Sequence, residues 1–214
     1  MKKSVKLIML TTTAITGCVV LTGTAGVKVL QEAPAAADDL LSNLGFESPA
    51  IEGGSQSQVH PEDWLTFTSG MSDLILLSKA AAHSGNQGAK LVSHATPSFY
   101  QGLSQTAAVT PGAIYQFTAY VRNDSTSPLK GSVTGQLSIE WYDANENEIG
   151  GRHWGTPWGA SLSANEWTKV EVTGAAPVKC AKAHFVIVQK GGGQPVAGSA
   201  FLVDDATVVR VSEQ

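Results

Sequence analysis

The 214-residue chain carries 14 basic and 18 acidic residues, is 43% hydrophobic and has two cysteines. A net charge of −4 with no Lys/Arg stripe disfavours a phosphate backbone as partner, so no nucleic-acid role is expected. Beyond residue 37 only Cys180 remains, which excludes a disulfide framework and leaves stability to core burial.

Met1 to Lys6 is a short basic opening, Leu7 to Val27 is uncharged and apolar, and the small residues Ala33 to Ala37 lead to Asp38 and Asp39. Basic, apolar and small-residue regions in that order form a secretory signal, with cleavage expected after Ala37 and a second choice near Gly26. Two other readings stay open. Leu7 to Val27 is long enough to anchor in a bilayer. Ile15, Thr16, Gly17 and Cys18 have the form of a lipobox, although Val19, Val20 and Leu21 continue the apolar run past the cysteine. Membrane attachment is expected only if Cys18 is lipidated or the segment anchors; otherwise the protein is secreted or held in the cell envelope. Removal of residues 1–37 takes 14 basic and 18 acidic residues to 10 and 17, a net charge of −7. That charge also disfavours acidic polysaccharides, less strongly, because one local basic patch would suffice.

Residues 38–214 read as one domain. From Leu44 onward no stretch holds a helical period; short β-branched and aromatic segments alternate with Gly, Pro, Asn, Asp and Ser, the pattern of a β-sandwich. Strands are expected at Asp63–Phe67, Leu74–Leu77, Ala89–Ser93 and Tyr100–Val109. After the turn Thr110, Pro111, Gly112, the clearest strand runs from Ile114 to Asn123. It sets Tyr115, Phe117, Ala119 and Val121 on one face and Gln116, Thr118, Tyr120 and Arg122 on the other. The next, Val133 to Tyr142, alternates Leu137, Ile139 and Trp141 with Gln136, Ser138, Glu140 and Tyr142. Asp143 to Asn147 reads as a hairpin turn. Its acidic and amide spacing imitates a calcium loop, but Glu148 stands where such a loop needs Gly and Trp154 where it needs Glu. Gly150 to Ala164 reads as a long loop. Trp167–Thr173, Ala183–Val188 and Phe201–Val211 complete some nine to eleven strands, enough for a jelly roll. The expected core is Phe46, Leu91, Tyr115, Phe117, Val121, Leu137, Ile139, Trp141, Trp167, Phe185 and Ile187.

The order of several short pieces resembles the carbohydrate-binding modules of the family 4/9 type. They are Asn43 to Glu47, Trp64, His83 to Leu91, Gln101 to Gln105, Val109 to Gly112, Tyr115 to Val121, Glu166 to Val170 and Phe201 to Ala206. The resemblance covers nearly all of residues 43–211. It implies a galactose-binding-like jelly-roll β-sandwich of two antiparallel sheets, a non-catalytic binding role and a polysaccharide or oligosaccharide partner. It also implies a structural Ca²⁺ tying the first strand to the last, at Gly45, Glu47, the turn with His83 and Asn86, and Asp204. His83 departs from such a set if its place requires a carboxylate, since imidazole is a poor calcium ligand.

A sugar face needs flat apolar groups for the C–H face of a pyranose and hydrogen-bonding groups for its hydroxyls. Trp64, Tyr100, Tyr120, Tyr142, Trp154 and Trp158 are the candidate platforms. If the strands 114–123 and 133–142 are adjacent, one face presents Gln116, Tyr120 and Arg122 beside Gln136, Glu140 and Tyr142. Trp154 and Trp158 would then close one end from the following loop. No enzyme is expected: Glu140 and Asp143 point to opposite faces of a strand, no Gly-x-Ser-x-Gly elbow occurs and no His-x-x-x-His spacing appears. The second class of function left open is a structural or adhesion domain of the cell envelope that binds protein through the same fold.

Overall fold

A computed structural model describes residues 39–69, 72–96, 98–193 and 196–211. They fall within one compact unit, Ala37–Gln214. The expected signal segment 1–37, with its cleavage point after Ala37, its lipobox Cys18 and its anchor alternative, lies outside the described residues.

The described residues form eleven strands: β1 Gln56–Ser57, β2 Leu65–Thr68, β3 Ile75–Ser78, β4 Gly88–Val92, β5 Phe99–Ala108, β6 Ile114–Asn123, β7 Thr134–Tyr142, β8 His153–Trp154, β9 Thr168–Ala175, β10 Lys182–Gly191 and β11 Ala200–Val211. One 3₁₀ turn, Lys79–Ala81, follows β3. The strands make a six-stranded sheet, β1-β3-β4-β11-β6-β9, and a five-stranded sheet, β2-β5-β10-β7-β8. All ladder pairings between strands are antiparallel. This is the expected jelly-roll sandwich.

Alternation builds the core. Tyr115, Phe117, Ala119 and Val121 of β6 are buried, as are Leu137, Ile139 and Trp141 of β7 and Phe185 and Ile187 of β10. They meet between the sheets, where the Phe117 ring sets its edge against Phe185 at 5.7 Å. Phe46 and Trp64 close one side, their rings 5.1 Å apart. Two buried amides tie the sheets together: Gln101 Nε2 donates to Gln189 Oε1 (2.8 Å), and Gln189 Nε2 donates to the Leu91 carbonyl across the sandwich (3.1 Å).

Trp167 is a correction to the expected core. It is only half-buried and lies just before β9, whose inward residues are Val170 and Val172. Odd positions of that strand point outward, so Trp167 stands beside Arg122, with the guanidinium 4.8 Å from the ring centre. The stretch Gly150–Ala164 also differs from a plain loop. It contributes β8 and a bridge between Trp158 and Gly135, and so adds an edge to the five-stranded sheet. The turn at Asp143–Asn147 is a hairpin turn: Asp143 Oδ1 accepts from the backbone of Asn145 (2.8 Å) and Asn147 (3.0 Å).

Candidate functional site

The two strands expected to lie side by side belong to different sheets. β6 pairs with β11 and β9, whereas β7 pairs with β10 and β8. Gln116, Tyr120 and Arg122 therefore occupy the outer face of the six-stranded sheet, and Gln136, Glu140 and Tyr142 that of the five-stranded sheet, on opposite sides of the sandwich. One site cannot contain both sets.

On the six-stranded side Tyr120 is covered. The His83 imidazole stacks on its ring at 3.9 Å and 12°, and Trp167 meets His83 edge-on at 5.4 Å. Arg122 donates to the Ala80 carbonyl (3.0 Å), and Gln116 to Glu171 (3.2 Å). Arg122, Tyr120 and Trp167 hold the 3₁₀ turn and the following turn against the sheet, while Gln116 links β6 to β9.

The turn at 83–87 is also where the acidic cluster gathers. A bulge between Asp204 and Thr207 in β11 places Asp204 and Asp205 beneath it. Asp204 Oδ2 accepts from the backbone of His83 (2.7 Å) and Ser84 (3.0 Å). Asp205 binds His83 Nδ1 (2.6 Å) and Ser84 Oγ (2.7 Å). Glu47 Oε1 accepts from Asn86 N (2.8 Å) and Gln87 N (3.3 Å). Gly45 is close by: a Cβ there would stand 3.6 Å from Asp204 Oδ1 and 3.7 Å from Asp205 Oδ1. Burial pushes the Asp204 carboxyl up to about 7, against the backbone N–H groups of Ser84, His83 and Asp205 that favour its charged form. Among the described residues no three His, Cys, Asp or Glu side chains stand ready-made as a metal cage.

The outer face of the five-stranded sheet is different in shape and chemistry. Register sets Phe67, Gly102, Val188 and Gln136 in one row across the sheet and Leu65, Ser104, Val186, Ser138 and Trp154 in the next. Thr106, His184 and Glu140 form a third. The middle strands carry small or sunken residues: Gly102, Ser104, Val186, Val188 and Ser138 are all buried. The flanks carry large exposed ones, Leu65 of β2 (68% exposed) on one side and Trp154 of β8 (46%) on the other, and Tyr100 (52%) rises at the start of β5. The face is therefore a trough with a low floor and aromatic walls. Four strand spacings from β2 to β8 make it about 19 Å across.

Gly102 allows close approach there. A Cβ on it would come within 2.6 Å of the Phe67 ring and 2.3 Å of the Ile187 carbonyl oxygen, so no larger residue fits beneath Phe67. Phe67 in turn packs against Tyr100, ring centres 6.3 Å apart.

Polar groups line the β7 side. Gln136 Nε2 donates to the Gly155 carbonyl (2.7 Å), which holds the loop carrying Trp154, and Gln136 Oε1 accepts from Lys190 Nζ (2.7 Å). The same ammonium sits 5.0 Å from the centre of the Trp154 ring. Further along, Arg152 bridges two carboxylates: Nη1 to Glu140 (2.8 Å), Nε and Nη2 to Glu148 (2.8 and 2.9 Å). Burial raises the Glu140 carboxyl although Arg152 pulls it down. Tyr142 donates to Glu140 Oε2 (3.3 Å) and stacks on His184 at 4.3 Å. Burial lowers the His184 imidazole from its ordinary 6.5, which favours the neutral ring.

Trp158 is not on the rim. It is buried, its ring lies over Gly135, where a Cβ would be 2.2 Å from Nε1, and it meets Phe201 edge-on at 5.3 Å. Trp64 is likewise a core residue, donating to the Asn43 carbonyl (3.2 Å). The face thus unites Gln136, Glu140, Tyr142 and Trp154 of the expected set. It excludes Gln116, Tyr120, Arg122 and Trp158, keeps Tyr100 from the candidate platforms, and adds Leu65, Phe67, Arg152, His184 and Lys190. The alternation of β5 and β10 marks outward residues, but only the strand order shows that they share a face with β7.

A family model described as a carbohydrate binding domain, of the 4/9 type, matches residues 38–191. No curated protein sequence matches. Among solved structures, tailspike protein 4 of bacteriophage CBA120 is similar over 81% of this chain, with a TM-score of 0.58 and 12% identity. This chain spans 21% of the tailspike chain. TmCBM61, solved with β-1,4-galactotriose, aligns over 82% of this chain and all of its own (TM-score 0.54, 18% identity). The xylan-binding domain CBM22-1 of Paenibacillus barcinonensis Xyn10C aligns over 85% and all of its own (TM-score 0.52, 15% identity).

Proposed function

The chain belongs to the carbohydrate binding domain family of the 4/9 type, and from that premise we propose that it binds a polysaccharide or oligosaccharide in the trough of the five-stranded sheet, without catalysing its cleavage. The observation that carries this is the presence of two exposed aromatic rings, Tyr100 on β5 and Trp154 on β8, to either side of the low strands β10 and β7. A pyranose stacks its C–H face on such rings at little entropic cost, because each aromatic has only two torsions to fix. Hydroxyls then meet Gln136, Glu140, Arg152 and Tyr142. The non-catalytic reading is supported by the carboxylates: Glu140 is held by Arg152, while Asp143 is bound into its own hairpin turn, so the two do not face one bond. A glycan array probed with residues 38–214, followed by calorimetry on the best ligand, tests the proposal. Binding to no glycan, with capture of an envelope protein instead, would replace it with the adhesion reading.

Export belongs to the same proposal. The signal features of residues 1–37 support a secreted or envelope location, and mass spectrometry of exported material should begin at Asp38. A lipidated start at Cys18 would move the protein to a membrane surface.

We also propose a structural Ca²⁺ at the turn 83–87. The donors fit in kind, since Asp204 and Asp205 offer hard carboxylate oxygens close to Gly45 and Glu47 offers its own beside Gly85, and among the described residues Glu47 Oε2 receives no hydrogen bond. His83 fits only through its backbone, its ring being engaged by Asp205 and Tyr120. An ion held there would join the segment at Glu47 to β11. An ion that binds only the folded state stabilises it by about 1.4 kcal/mol for each tenfold of free ion above Kd. The melting temperature should therefore fall with chelator and recover with calcium; a melting curve indifferent to both removes the ion.

A further inference from the structure

The cations on the trough face are not equivalent. Arg152 is shared between Glu140 and Glu148, and Lys182 is paired with Glu146. Lys190 has no carboxylate partner among the described residues. Its ammonium is placed by Gln136 Oε1 at 2.7 Å and by the Trp154 ring at 5.0 Å. An ammonium has three donors, of which one is used here. On β10 Lys190 is the register partner of Tyr100 on β5, while Trp154 on β8 lies to its other side beyond β7.

Charge also divides the trough along its strands. At the other end two carboxylates, Glu140 and Glu148, share the one cation of Arg152, and Lys182 is taken up by Glu146. His184 is six residues from Lys190 on β10, about 20 Å at strand rise. A carboxylate entering the trough is repelled from the Glu140 end and attracted to the Lys190 end.

Building on the sugar-binding reading of this face, we propose that Lys190 is its specificity-determining residue, and that the preferred glycan bears a uronic-acid carboxylate seated beside Lys190, between Tyr100 and Trp154. The overall acidity of the protein does not oppose this. Surface charges beyond about 8–10 Å are screened at physiological salt, whereas a contact ammonium–carboxylate pair is not. The pair gives selectivity and the stacked rings give the bulk of the affinity.

The test uses paired ligands of one backbone, a neutral xylo-oligosaccharide and the same oligomer with one glucuronic acid substituent, and the corresponding galacto- and galacturono-oligosaccharides. The protein is expected to bind the acidic member about tenfold more tightly, with the preference shrinking as salt rises. Lys190→Met keeps the apolar stem and removes the charge; it should abolish the preference, with the acidic member losing several-fold more affinity than its neutral partner. Lys190→Arg should restore part of the preference, and an unchanged melting temperature will show that both variants are folded. Equal affinity for both members of each pair, or an equal loss for both in Lys190→Met, overturns the role of Lys190 while leaving the sugar-binding reading intact. Binding to neither member of any pair, nor to any glycan on an array, overturns both.

Discussion

Tyr120 and Tyr142 hold matching places in their strands, each one step out of phase with the core, yet they meet different surroundings. The Tyr120 ring is covered by His83 at 3.9 Å, whereas Tyr142 leans on His184 beside Glu140 at the end of the trough. Tyr120→Ala is therefore expected to leave glycan affinity unchanged and to lower the melting temperature by loosening the turn at 83–87. Trp154→Ala should do the reverse. Its indole is 46% exposed, so truncation costs little stability, but loss of one platform should weaken glycan binding at least tenfold in calorimetry. Tyr100→Ala should behave in the same way from the opposite wall. If Trp154→Ala binds normally and Tyr120→Ala does not, the ligand lies on the six-stranded sheet. Trp158, four residues along from Trp154, teaches the opposite lesson. It resembles a second rim aromatic in sequence but is buried over Gly135, so Trp158→Ala is expected to unsettle the fold before it alters any binding surface.

At the scale of elements, β6 and β7 carry the most regular alternation in the chain, and each buries the residues that alternation selects. Phe117 is fully enclosed against Phe185, so Phe117→Ala should destabilise by about 3–5 kcal/mol in denaturant unfolding. A cost below about 1 kcal/mol would mean that the two sheets do not close on this ring. The segment after β7 depends on one small residue. Gly135 lets the Trp158 ring lie flat on the sheet, with the two backbones exchanging hydrogen bonds of 2.9 Å each. Gly135→Ala should cost about 1–3 kcal/mol by overpacking. Because that segment carries β8, it should also displace Trp154 and weaken glycan binding, although Gly135 touches no ligand. Unchanged stability in this variant would show that the segment is held by other contacts.

For the whole molecule, Asp124 joins the end of β6 to β4 across the intervening β11 of the same six-stranded sheet. It pairs with Lys90 at 2.8 Å and accepts from Thr126 and Ser127, at 2.9 and 2.8 Å from their backbones. Burial alone would push its carboxyl up, but the Lys90, Thr126 and Ser127 hydrogen bonds outweigh this and hold it at about 2, below its ordinary 3.8. A depressed carboxyl stabilises the fold above its unfolded value and loses that contribution as pH falls through the folded one. Asp124→Asn should therefore cost roughly 2–3 kcal/mol at neutral pH, and the gap should close between about pH 4 and pH 2. A gap independent of pH would assign the effect to geometry and not to charge. The class of fold was legible without coordinates because period-two alternation in β5, β6, β7, β10 and β11 depends only on local backbone geometry, which puts successive side chains on opposite faces. For the same reason most of the core is legible in the alternation, whereas the place of Trp167 depends on its phase relative to Val170 and Val172, which decides the face. Alternation says which residues point away from the core but carries no information about which strand lies beside which. That order is set by long-range pairing: β10 inserts between β5 and β7, β11 between β4 and β6. So the sequence by itself determined a two-sheet sandwich with outward Gln136, Glu140, Tyr142 and Trp154. Only the tertiary structure separated them from Gln116, Tyr120 and Arg122 and set Tyr100, His184 and Lys190 at their side, because residues 36 to 90 positions apart become neighbours only when the sheet closes.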